Sequence, residues 1–420
     1  MNPTRLAENL VLPVILGTDM NAYGMARAFH EAYRIRSLCV GKSRLIFTER
    51  SRLVEIKIIE DFDQEDVFLP ALETLAASLK KQYQHLILIA SSDHYAKLSI
   101  MHSEALKKYF HMPFASLDLL PSLLLKDRFY ALCETHGLDY PKTVSVTRET
   151  YETLPALPFS FPVVCKPANS PAYMAMSFDG MKKAYFVPDE DNLRDVLRLV
   201  YSHGYRDPML IQDYIPGDDA NGLVVNTYSD KEARVRLISI GKPLLEDPTP
   251  MYIGNYAVIR DTKQPEVSRK IIAFLEAIGY TGFANIDLKF DPRDQVYKVF
   301  ELNLRQGRSS SYTLQDGCNL AAALVDDFVL NKPFELRESS GQGFVWFSIP
   351  KDVALQFTED PQERSHIEAM VKAGRDENVY RYKVDRSFRR WLTFWRYDSM
   401  LRHRFKHFFV KKQNEDRGQL

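Results

Sequence analysis

The stretch "VFELNLRQGRSS", Val299–Ser310, begins like a buried strand and then alternates polar and apolar residues. Successive side chains of a strand point to opposite faces, so the two leucines share one face and the polar residues the other. The polar face carries Glu301, Asn303 and Arg305. A carboxylate, an amide and a guanidinium in one row are groups that a metal ion and an anionic substrate would need.

A second polar strand precedes this one. The run "GFANIDLKF" is joined to it by "DPRDQ", whose composition is typical of a turn, so the two runs predict a hairpin. An antiparallel partner could set Asp287 beside Glu301 and Asn303. Two carboxylates on one face repel each other unless a cation lies between them, and an oxygen-rich set of ligands suits Mg²⁺. A solvated sheet face explains the same pattern without a metal, so both interpretations stay open at this point.

The overall composition restricts the class of protein. The chain has 420 residues, of which 45% are hydrophobic and 26% charged. These values are typical of a folded chain of about two to four domains. The 55 basic and 55 acidic residues balance, whereas nucleic-acid-binding proteins usually have a basic excess, so we expect no nucleic-acid partner. Four separated cysteines and the lack of any apolar run of about 20 residues predict a soluble, cytoplasmic protein.

Residues 1–116 alternate strand and helix patterns, which predicts a parallel α/β sheet. Ligands of such sheets bind near the carboxyl ends of the strands, where the turns "GTDMN" and "SSDHY" fall. These turns make Asp19, Asn21 and Asp93 candidate substrate-binding residues, and ordinary loop chemistry is the alternative. The glycine spacing does not fit GxGxxG, so a dinucleotide site is not predicted.

From Leu117 the pattern changes, and two lysines become candidates for phosphate binding. Lys126 follows a leucine run at the head of a helix that Gly137 stops. Lys166 ends the apolar strand "PVVCK", where a purely structural lysine is costly to bury. Each lysine alone is typical of a protein surface. The ordered series of helix lysine, strand lysine, apolar strand "LIQDYI" and acidic hairpin is more specific.

This series resembles the ATP-grasp superfamily over residues 117–334. The resemblance implies an α/β (α+β ATP-grasp) fold with a parallel-sheet domain before a two-lobed ATP-grasp domain. The implied segments are a pre-ATP-grasp domain at 1–116, an N-lobe at 117–208, a C-lobe with the metal site at 209–334 and a C-terminal extension at 335–420 that ends in a helical, basic tail from about residue 380.

The same resemblance implies roles for residues at the matching positions. The lysines would contact the nucleotide phosphates, and "QDYIPGDD" would offer backbone groups to the adenine and an acidic group to the ribose. The implied nucleotide-binding residues are Lys126, Lys166, Gln212, Asp213, Tyr214, Ile215, Asp218 and Asp219. Asp287, Glu301 and Asn303 would hold Mg²⁺, with Mn²⁺ an alternative, and Arg305 would be the catalytic residue facing the reacting phosphate. The usual glycine-rich phosphate loop is not evident, so no contact from it is predicted.

The stretch "ILGTDMNAYGMARAFHEAY", Ile15–Tyr33, resembles the start of the bacterial D-aspartate ligases, which are ATP-grasp enzymes. This resemblance implies an ATP-dependent carboxylate–amine ligase that works through an acyl phosphate. The acid would be D-aspartate and the amine the lysine side chain of a peptidoglycan precursor. Arg308 and Ser309 would hold the acid, since a guanidinium binds a carboxylate bidentately. Another ATP-grasp amino-acid or peptide ligase and a non-catalytic nucleotide-binding module remain alternatives, and the oligomeric state is not predicted.

The tail after Tyr380 is rich in aromatic and basic residues, with Trp391, Phe394, Trp395 and Phe408 among many arginines and lysines. Basic residues are attracted to an anionic membrane, and aromatic residues favour its interface. The composition is compatible with peripheral contact with a membrane, and the peptidoglycan precursor that the resemblance implies would place this contact at the inner face. A helix that packs its aromatic side chains against the body of the protein is the alternative.

Overall fold

The N-terminal part alternates strands and helices, as the sequence predicts. The structure, a computed structural model, describes residues 6–7, 9–217, 221–249, 252 and 254–417. The first elements are β1 (Val11–Leu16), α1 (Met20–Tyr33), β2 (Ser37–Gly41), β3 (Val54–Ile58), α2 (Glu65–Leu79), β4 (His85–Ala90), α3 (Asp93–Met101) and α4 (Ser103–Leu106).

These four strands form a parallel sheet of order β3-β2-β1-β4, which confirms the predicted fold of this part. All residues of β1 and β2 are buried, as expected for central strands of a parallel sheet. The chain leaves β1 through Gly17, whose φ is +130°, and a Cβ there would lie 1.8 Å from Oγ of Ser91. Only glycine fits this turn, which brings the ends of β1 and β4 together.

A second, antiparallel sheet follows. The next elements are α5 (Leu120–Leu124), α6 (Lys126–Thr135), β5 (Thr143–Val146), β6 (Val163–Pro167), α7 (Ser170–Met174), β7 (Tyr185–Val187), α8 (Glu190–Ser202) and β8 (Met209–Asp213). Their strands are ordered β5-β8-β6-β7. Leu125 is extended and separates α5 from α6, so Lys126 is the first residue of its helix, as predicted.

The third part contains the hairpin of the opening sequence. It comprises β9 (Gly222–Ser229), β10 (Val235–Glu246), β11 (Tyr256–Thr262), α9 (Pro265–Ala277), β12 (Gly282–Asp291), β13 (Val296–Asn303), a 3₁₀ helix (Ser310–Asp316) and α10 (Leu320–Phe328). β13 ends at Asn303 and the chain bends at residues 304–305. The prediction that Arg305 continues this strand is therefore wrong.

The C-terminal extension adds strands to the large sheet and ends in a long helix. Its elements are β14 (Arg337–Glu338), β15 (Val345–Phe347), α11 (Lys351–Phe357), α12 (Pro361–Lys372), β16 (Asp376–Asn378), a 3₁₀ helix (Lys383–Asp385) and α13 (Phe388–Arg417). The large sheet has the order β13-β12-β9-β10-β11-β15-β16, and β14 pairs with β10. No helix in the described part of the chain is long and apolar enough to cross a lipid bilayer.

The chain divides into two compact units. The first unit comprises Met1–Leu117, Asp219–Ile286 and Asn303–Leu420, and the second comprises Asp118–Asp218 and Asp287–Leu302. The core of the second unit packs α8 against its antiparallel sheet, with Leu193, Leu197 and Val200 buried. The division of the sequence into four segments remains a prediction.

Candidate active site

The two predicted phosphate-binding lysines lie in the second unit. Lys166 is near the end of β6, and its Nζ donates to the hydroxyl of Tyr130 (3.1 Å) and to Oε1 of Gln212 (2.8 Å). The ammonium also lies 5.4 Å from the ring centre of Phe300. The acceptors are neutral, and the aromatic rings exclude water from one side of the lysine. These two hydrogen bonds therefore orient the ammonium of Lys166 but do not neutralise its charge.

The environment of Lys166 disfavours its charged form. Burial, and to a smaller extent the neighbouring Lys126 ammonium, lower the pKa of Lys166 to about 7 against the opposing effect of the Glu301 carboxylate. A desolvated ammonium gains most from an incoming negative charge, because little water competes with the interaction. This position suits a polyanionic ligand such as a phosphate chain.

Lys126 is the first residue of α6, and its side chain contacts both the start of α7 and strand β13. Its Nζ donates to Oγ of Ser170 at 3.3 Å and to Oε1 of Glu301 at 3.4 Å. The Glu301 side chain is 48% exposed, so its carboxylate is still open to solvent and to further ligands. The structure thus brings together both lysines and one predicted metal ligand around the beginning of α6.

The predicted nucleotide hinge follows β8. Gln212 is buried, and its Nε2 donates to Oγ1 of Thr143 at 2.9 Å while its Oε1 accepts from Lys166. The carboxylate of Asp213 accepts two hydrogen bonds from Arg293, at 3.0 and 2.7 Å, which tie the hairpin turn to the end of β8.

The residues after β8 have an apolar setting. The ring of Tyr214 contacts Phe186 edge to face, and Ile215 is buried. Such a surface can cover the face of a purine, and the carboxylate of the preceding Asp213 is already used by its arginine partner. Asp218 and Asp219, the predicted ribose-binding residues, lie outside the described residues.

The predicted magnesium ligands lie on the hairpin strands. Asp287 is in β12, and Glu301 and Asn303 are two residues apart in β13, so the latter two share a strand face. Within the described residues, no group of three His, Cys, Asp or Glu side chains could hold a metal ion. The predicted set does not need such a group, because it combines two carboxylates with one amide. These hard oxygen donors, one on a half-exposed side chain, fit Mg²⁺ that keeps waters and shares its ligands with phosphates.

Arg305 lies beyond the end of β13, in the first unit. Its Nη2 pairs with Oδ2 of Asp93 at 2.7 Å, and its Nη1 donates to the backbone oxygen of Gln306 at 3.0 Å. The strand ends before Arg305, and the next residue, Gln306, forms buried hydrogen bonds within the first unit. Its Nε2 donates to the backbone oxygen of Ala90 at 3.1 Å.

Asn21 also binds Gln306 in this buried region. Its Nδ2 donates to the backbone oxygens of Ser91 (2.9 Å) and Gln306 (3.2 Å). The prediction that Asn21 and Asp93 lie in turns is wrong, because both lie in the first turns of helices. Asp19 and Ser92 cap these helices by accepting hydrogen bonds from the backbone N–H groups of Ala22 and Tyr95.

The segment after Gln306 requires a glycine. The backbone N–H of Gly307 donates to Oδ1 of Asn226 at 2.8 Å, and a Cβ at this position would lie 2.7 Å from Nδ2 of Asn285. Asn303 donates to Oδ1 of the same Asn285 at 3.3 Å. Buried amides therefore fix the chain on both sides of Arg305.

Arg308 and Asp19 belong to one polar region of the first unit. Burial raises the pKa of Asp19, although the backbone N–H of Ala22 and the guanidinium groups of Arg308 and Arg305 oppose the rise. The Arg308 guanidinium lies 5.5 Å from the ring centre of Tyr252. Ser309, the other predicted acid-binding residue, is buried and precedes the 3₁₀ helix.

Comparison with known proteins identifies the family. No protein-family model matches the chain. A D-aspartate ligase of Enterococcus faecium (strain Aus0004) is 40% identical over 413 residues, which cover 96% of this chain and 97% of that protein. This chain belongs to the D-aspartate ligase family. It is therefore an ATP-dependent carboxylate–amine ligase, and the predicted resemblance is confirmed.

Similarity to solved structures shows that this chain has the ATP-grasp fold. An L-amino acid ligase from Bacillus licheniformis is 18% identical, with a TM-score of 0.53 and coverage of 77% of this chain and 75% of that chain. An N5-carboxyaminoimidazole synthetase from Staphylococcus aureus is 13% identical, with a TM-score of 0.57 and coverage of 86% and 89%. The biotin carboxylase domain of the Hydrogenobacter thermophilus 2-oxoglutarate carboxylase is 13% identical, with a TM-score of 0.58 and coverage of 77% and 71%.

Two residues near the candidate site of this D-aspartate ligase were not predicted from the sequence. Tyr130 accepts a hydrogen bond from Lys166 and donates to the backbone oxygen of Phe300 at 2.9 Å, so it positions the lysine. Arg404 of α13 lies 4.9 Å from the ring centre of Tyr252, the ring that Arg308 also contacts. The helical spacing from Lys126 to Tyr130 was a signal for the first residue. Nothing local in the sequence indicated the second.

Proposed function

We propose that this ligase joins D-aspartate to the lysine side-chain amine of a peptidoglycan precursor, with ATP and Mg²⁺, through an acyl phosphate. The observation that carries the proposal is the cluster of Lys126, Lys166 and Glu301, because it combines phosphate-binding cations with a metal-binding carboxylate. The likeness over nearly the whole chain to a protein named D-aspartate ligase supports the choice of acid.

The reaction needs an activated acid. The leaving group of a free carboxylate is oxide, which is poor, whereas that of an acyl phosphate is phosphate. In the proposed sequence the substrate carboxylate attacks the γ-phosphorus of ATP, ADP leaves, and the amine then displaces phosphate to form the amide. Catalysis of such steps rests on positioning and on neutralisation of charge.

The second-unit residues act on the nucleotide in this proposal. Lys126 and Lys166 bind the phosphates, and the residues Gln212 to Ile215 contact the adenine, with Asp218 or Asp219 at the ribose. Asp287, Glu301 and Asn303 would hold Mg²⁺, which when bound polarises phosphoryl oxygens and contributes several kcal/mol of transition-state stabilisation. Tyr130 keeps Lys166 in place before the nucleotide binds.

The first-unit residues act on the amino acid in this proposal. Arg305 faces the phosphoryl group in transit, and Asp93 orients its guanidinium. Arg308 and Ser309 bind the substrate carboxylate, and the Asp19 carboxylate, which has Arg308 and Arg305 as neighbours, binds the substrate ammonium in this proposal. Asn21 acts on the substrate only through Gln306, since its amide is buried in protein hydrogen bonds.

A phosphate-release assay tests the proposal. The purified enzyme is given ATP, Mg²⁺, a lysine-containing muramyl peptide and one acid from a panel of D- and L-amino acids. We expect release with D-aspartate, strong dependence on the peptide and loss of release when EDTA removes the metal. Release with a different acid would identify another ATP-grasp amino-acid ligase and overturn the assignment of D-aspartate.

The proposed acceptor also bears on location. We propose that the enzyme works in the cytoplasm and contacts the inner face of the membrane through its C-terminal tail.

A further inference from the structure

The helix α13 has one face fixed to the protein. Phe394, Leu401 and Phe405 are buried and recur at helical spacing. Arg390 pairs with the buried Asp385 at 3.1 Å and donates to the backbone oxygen of Glu49 at 3.2 Å. The aromatic residues of the tail therefore do not all serve one purpose, because part of them packs against the first unit.

A second face of the same helix carries large aromatic side chains in solvent. Phe388, Trp391 and Trp395 are 77%, 52% and 55% exposed. Their spacing of three and four residues places them on one stripe of the helix. Val384, just before the helix, is also exposed. We call Phe388, Trp391 and Trp395 the aromatic stripe. Contiguous exposed apolar side chains of this size mark interaction surfaces.

The charge around the aromatic stripe is of one sign. Arg386, Arg389, Arg396 and Lys406 are exposed, and no acidic side chain of the described residues forms an ion pair with them. Asp398 is the single acidic residue between Arg386 and Phe409, and it is buried against Tyr380 and Arg381. The surface therefore offers aromatic side chains flanked by uncompensated cations.

We propose that the aromatic stripe and its flanking arginines dock onto an anionic lipid bilayer surface. Aromatic side chains prefer the bilayer interface, and each nearby basic residue adds attraction to anionic headgroups. A second copy of the chain fits less well, because a two-fold contact through this face would place like charges against each other. The contact is peripheral, and it does not depend on the identity of the amino-acid substrate.

The tryptophans provide a direct test. The chain has three, Trp346, Trp391 and Trp395, and Trp346 is only 1% exposed. A blue shift of intrinsic fluorescence on addition of vesicles therefore reports on α13. With vesicles of equal parts phosphatidylcholine and phosphatidylglycerol we expect a blue shift and flotation of the full-length protein. With pure phosphatidylcholine we expect neither, and added salt should weaken the binding to anionic vesicles.

Two double variants separate the ionic from the apolar contribution to membrane binding. Arg389→Gln/Arg396→Gln should lower partitioning by about 25-fold, from about fivefold for each basic residue. Trp391→Ala/Trp395→Ala should lower flotation by about tenfold or more, with unchanged ligase turnover on a soluble acceptor peptide. Phe334→Ala removes an exposed aromatic elsewhere and is the matched control, with unchanged flotation.

Three outcomes would overturn the proposal. The first is the absence of a fluorescence shift with anionic vesicles. The second is a concentration-dependent dimer that the tryptophan double variant abolishes, which would make the aromatic stripe a self-association surface. The third is retention on oligonucleotides but not on vesicles. Loss of D-aspartate dependence in the phosphate-release assay would instead overturn the proposed function and leave this docking surface intact.

Discussion

The side chains of Asn21 and Gln306 are in contact although 285 residues separate them in the chain. Asn21 donates to the backbone oxygen of Gln306 at 3.2 Å, and Gln306 donates to the backbone oxygen of Ala90. Both side chains are buried. This contact joins the first turn of α1, the end of β4 and the segment that carries Arg305.

Gln306→Ala should weaken both the fold and the binding of the acid. Ala90 would lose a buried donor, which costs about 1–3 kcal/mol of unfolding free energy. The KM for the amino acid should rise more than that for ATP, because residues 305 and 308 flank the site of the change. Urea unfolding and steady-state kinetics measure the two effects. Ser99→Ala, which removes a buried hydroxyl that has no hydrogen-bond partner among the described residues, is the control. Equal KM changes for both substrates would contradict a positioning role.

Glu301→Gln should nearly abolish ligation and leave the fold intact. The carboxylate is 48% exposed, so its loss should change the unfolding free energy by about 0.5 kcal/mol or less. Turnover should fall by about 10²–10³-fold, as for the loss of one charge-stabilising group. ADP release measures turnover, and Glu55→Gln on the exposed side of β3 is the matched control. Turnover within about tenfold of the parent would refute the metal-binding role.

Tyr130→Phe should weaken nucleotide use while keeping the ring. The variant removes one hydrogen bond from Lys166 and the donor to the Phe300 carbonyl. A typical loss of about 0.5–1.5 kcal/mol predicts a two- to tenfold rise of the KM for ATP. The KM for the amino acid serves as the internal control. An unchanged KM for ATP would show that the hydroxyl does not position the lysine.

Lys166→Arg should change the proton uptake that accompanies nucleotide binding. With a pKa of about 7, Lys166 is mostly neutral at about pH 8, and the phosphate charge should raise its pKa and draw in a proton. The arginine variant is always charged and should take up none at this position. Calorimetry with ADP in buffers of different ionisation heat measures the difference, in which the nucleotide's own titration cancels. Equal uptake by both proteins would contradict the lowered pKa.

Lys166→Met should flatten the dependence of stability on pH. The pKa of Lys166 is lowered on folding, so between about pH 7 and pH 10 the unfolded chain binds more protons and stability rises with pH. The penalty for charging the buried lysine is fully present below this range. The variant should therefore be more stable than the parent at about pH 6, with the gap closing toward about pH 10. Urea unfolding across this range measures the difference in unfolding free energy between variant and parent. A difference that does not change with pH would contradict the lowered pKa of Lys166.

Much of the fold was readable from sequence because the relevant signals are local. The alternation of strands and helices in residues 1–116 predicted the parallel sheet, and the polar alternation of Glu301 and Asn303 matched a real strand. β2 was missed because its five residues, SLCVG, make a shorter and less apolar run than those of β1 and β4. The short strands after Lys332 were missed because two or three residues carry no periodic pattern.

The candidate site was only partly predictable for a different reason. The positions of Lys126 and Lys166 relative to their helix and strand follow from their neighbours in sequence. The pairing of Arg305 with Asp93 does not, because it joins segments 212 residues apart. The wrong placement of Arg305 on β13 had the same origin, since a buried amide contact ends the strand earlier than its alternation suggested.

The sequence by itself determined the order of the elements, the ATP-grasp resemblance and the residue types available for phosphate, metal and acid binding, because these depend on short-range pattern. Tertiary structure alone decided which of those residues meet, how far burial lowers the pKa of Lys166, and which tail aromatics pack inside. Desolvation and contact depend on what the rest of the chain places nearby. Phe394 and Trp395 are neighbours in sequence, yet the helix turns one toward the core and the other toward solvent.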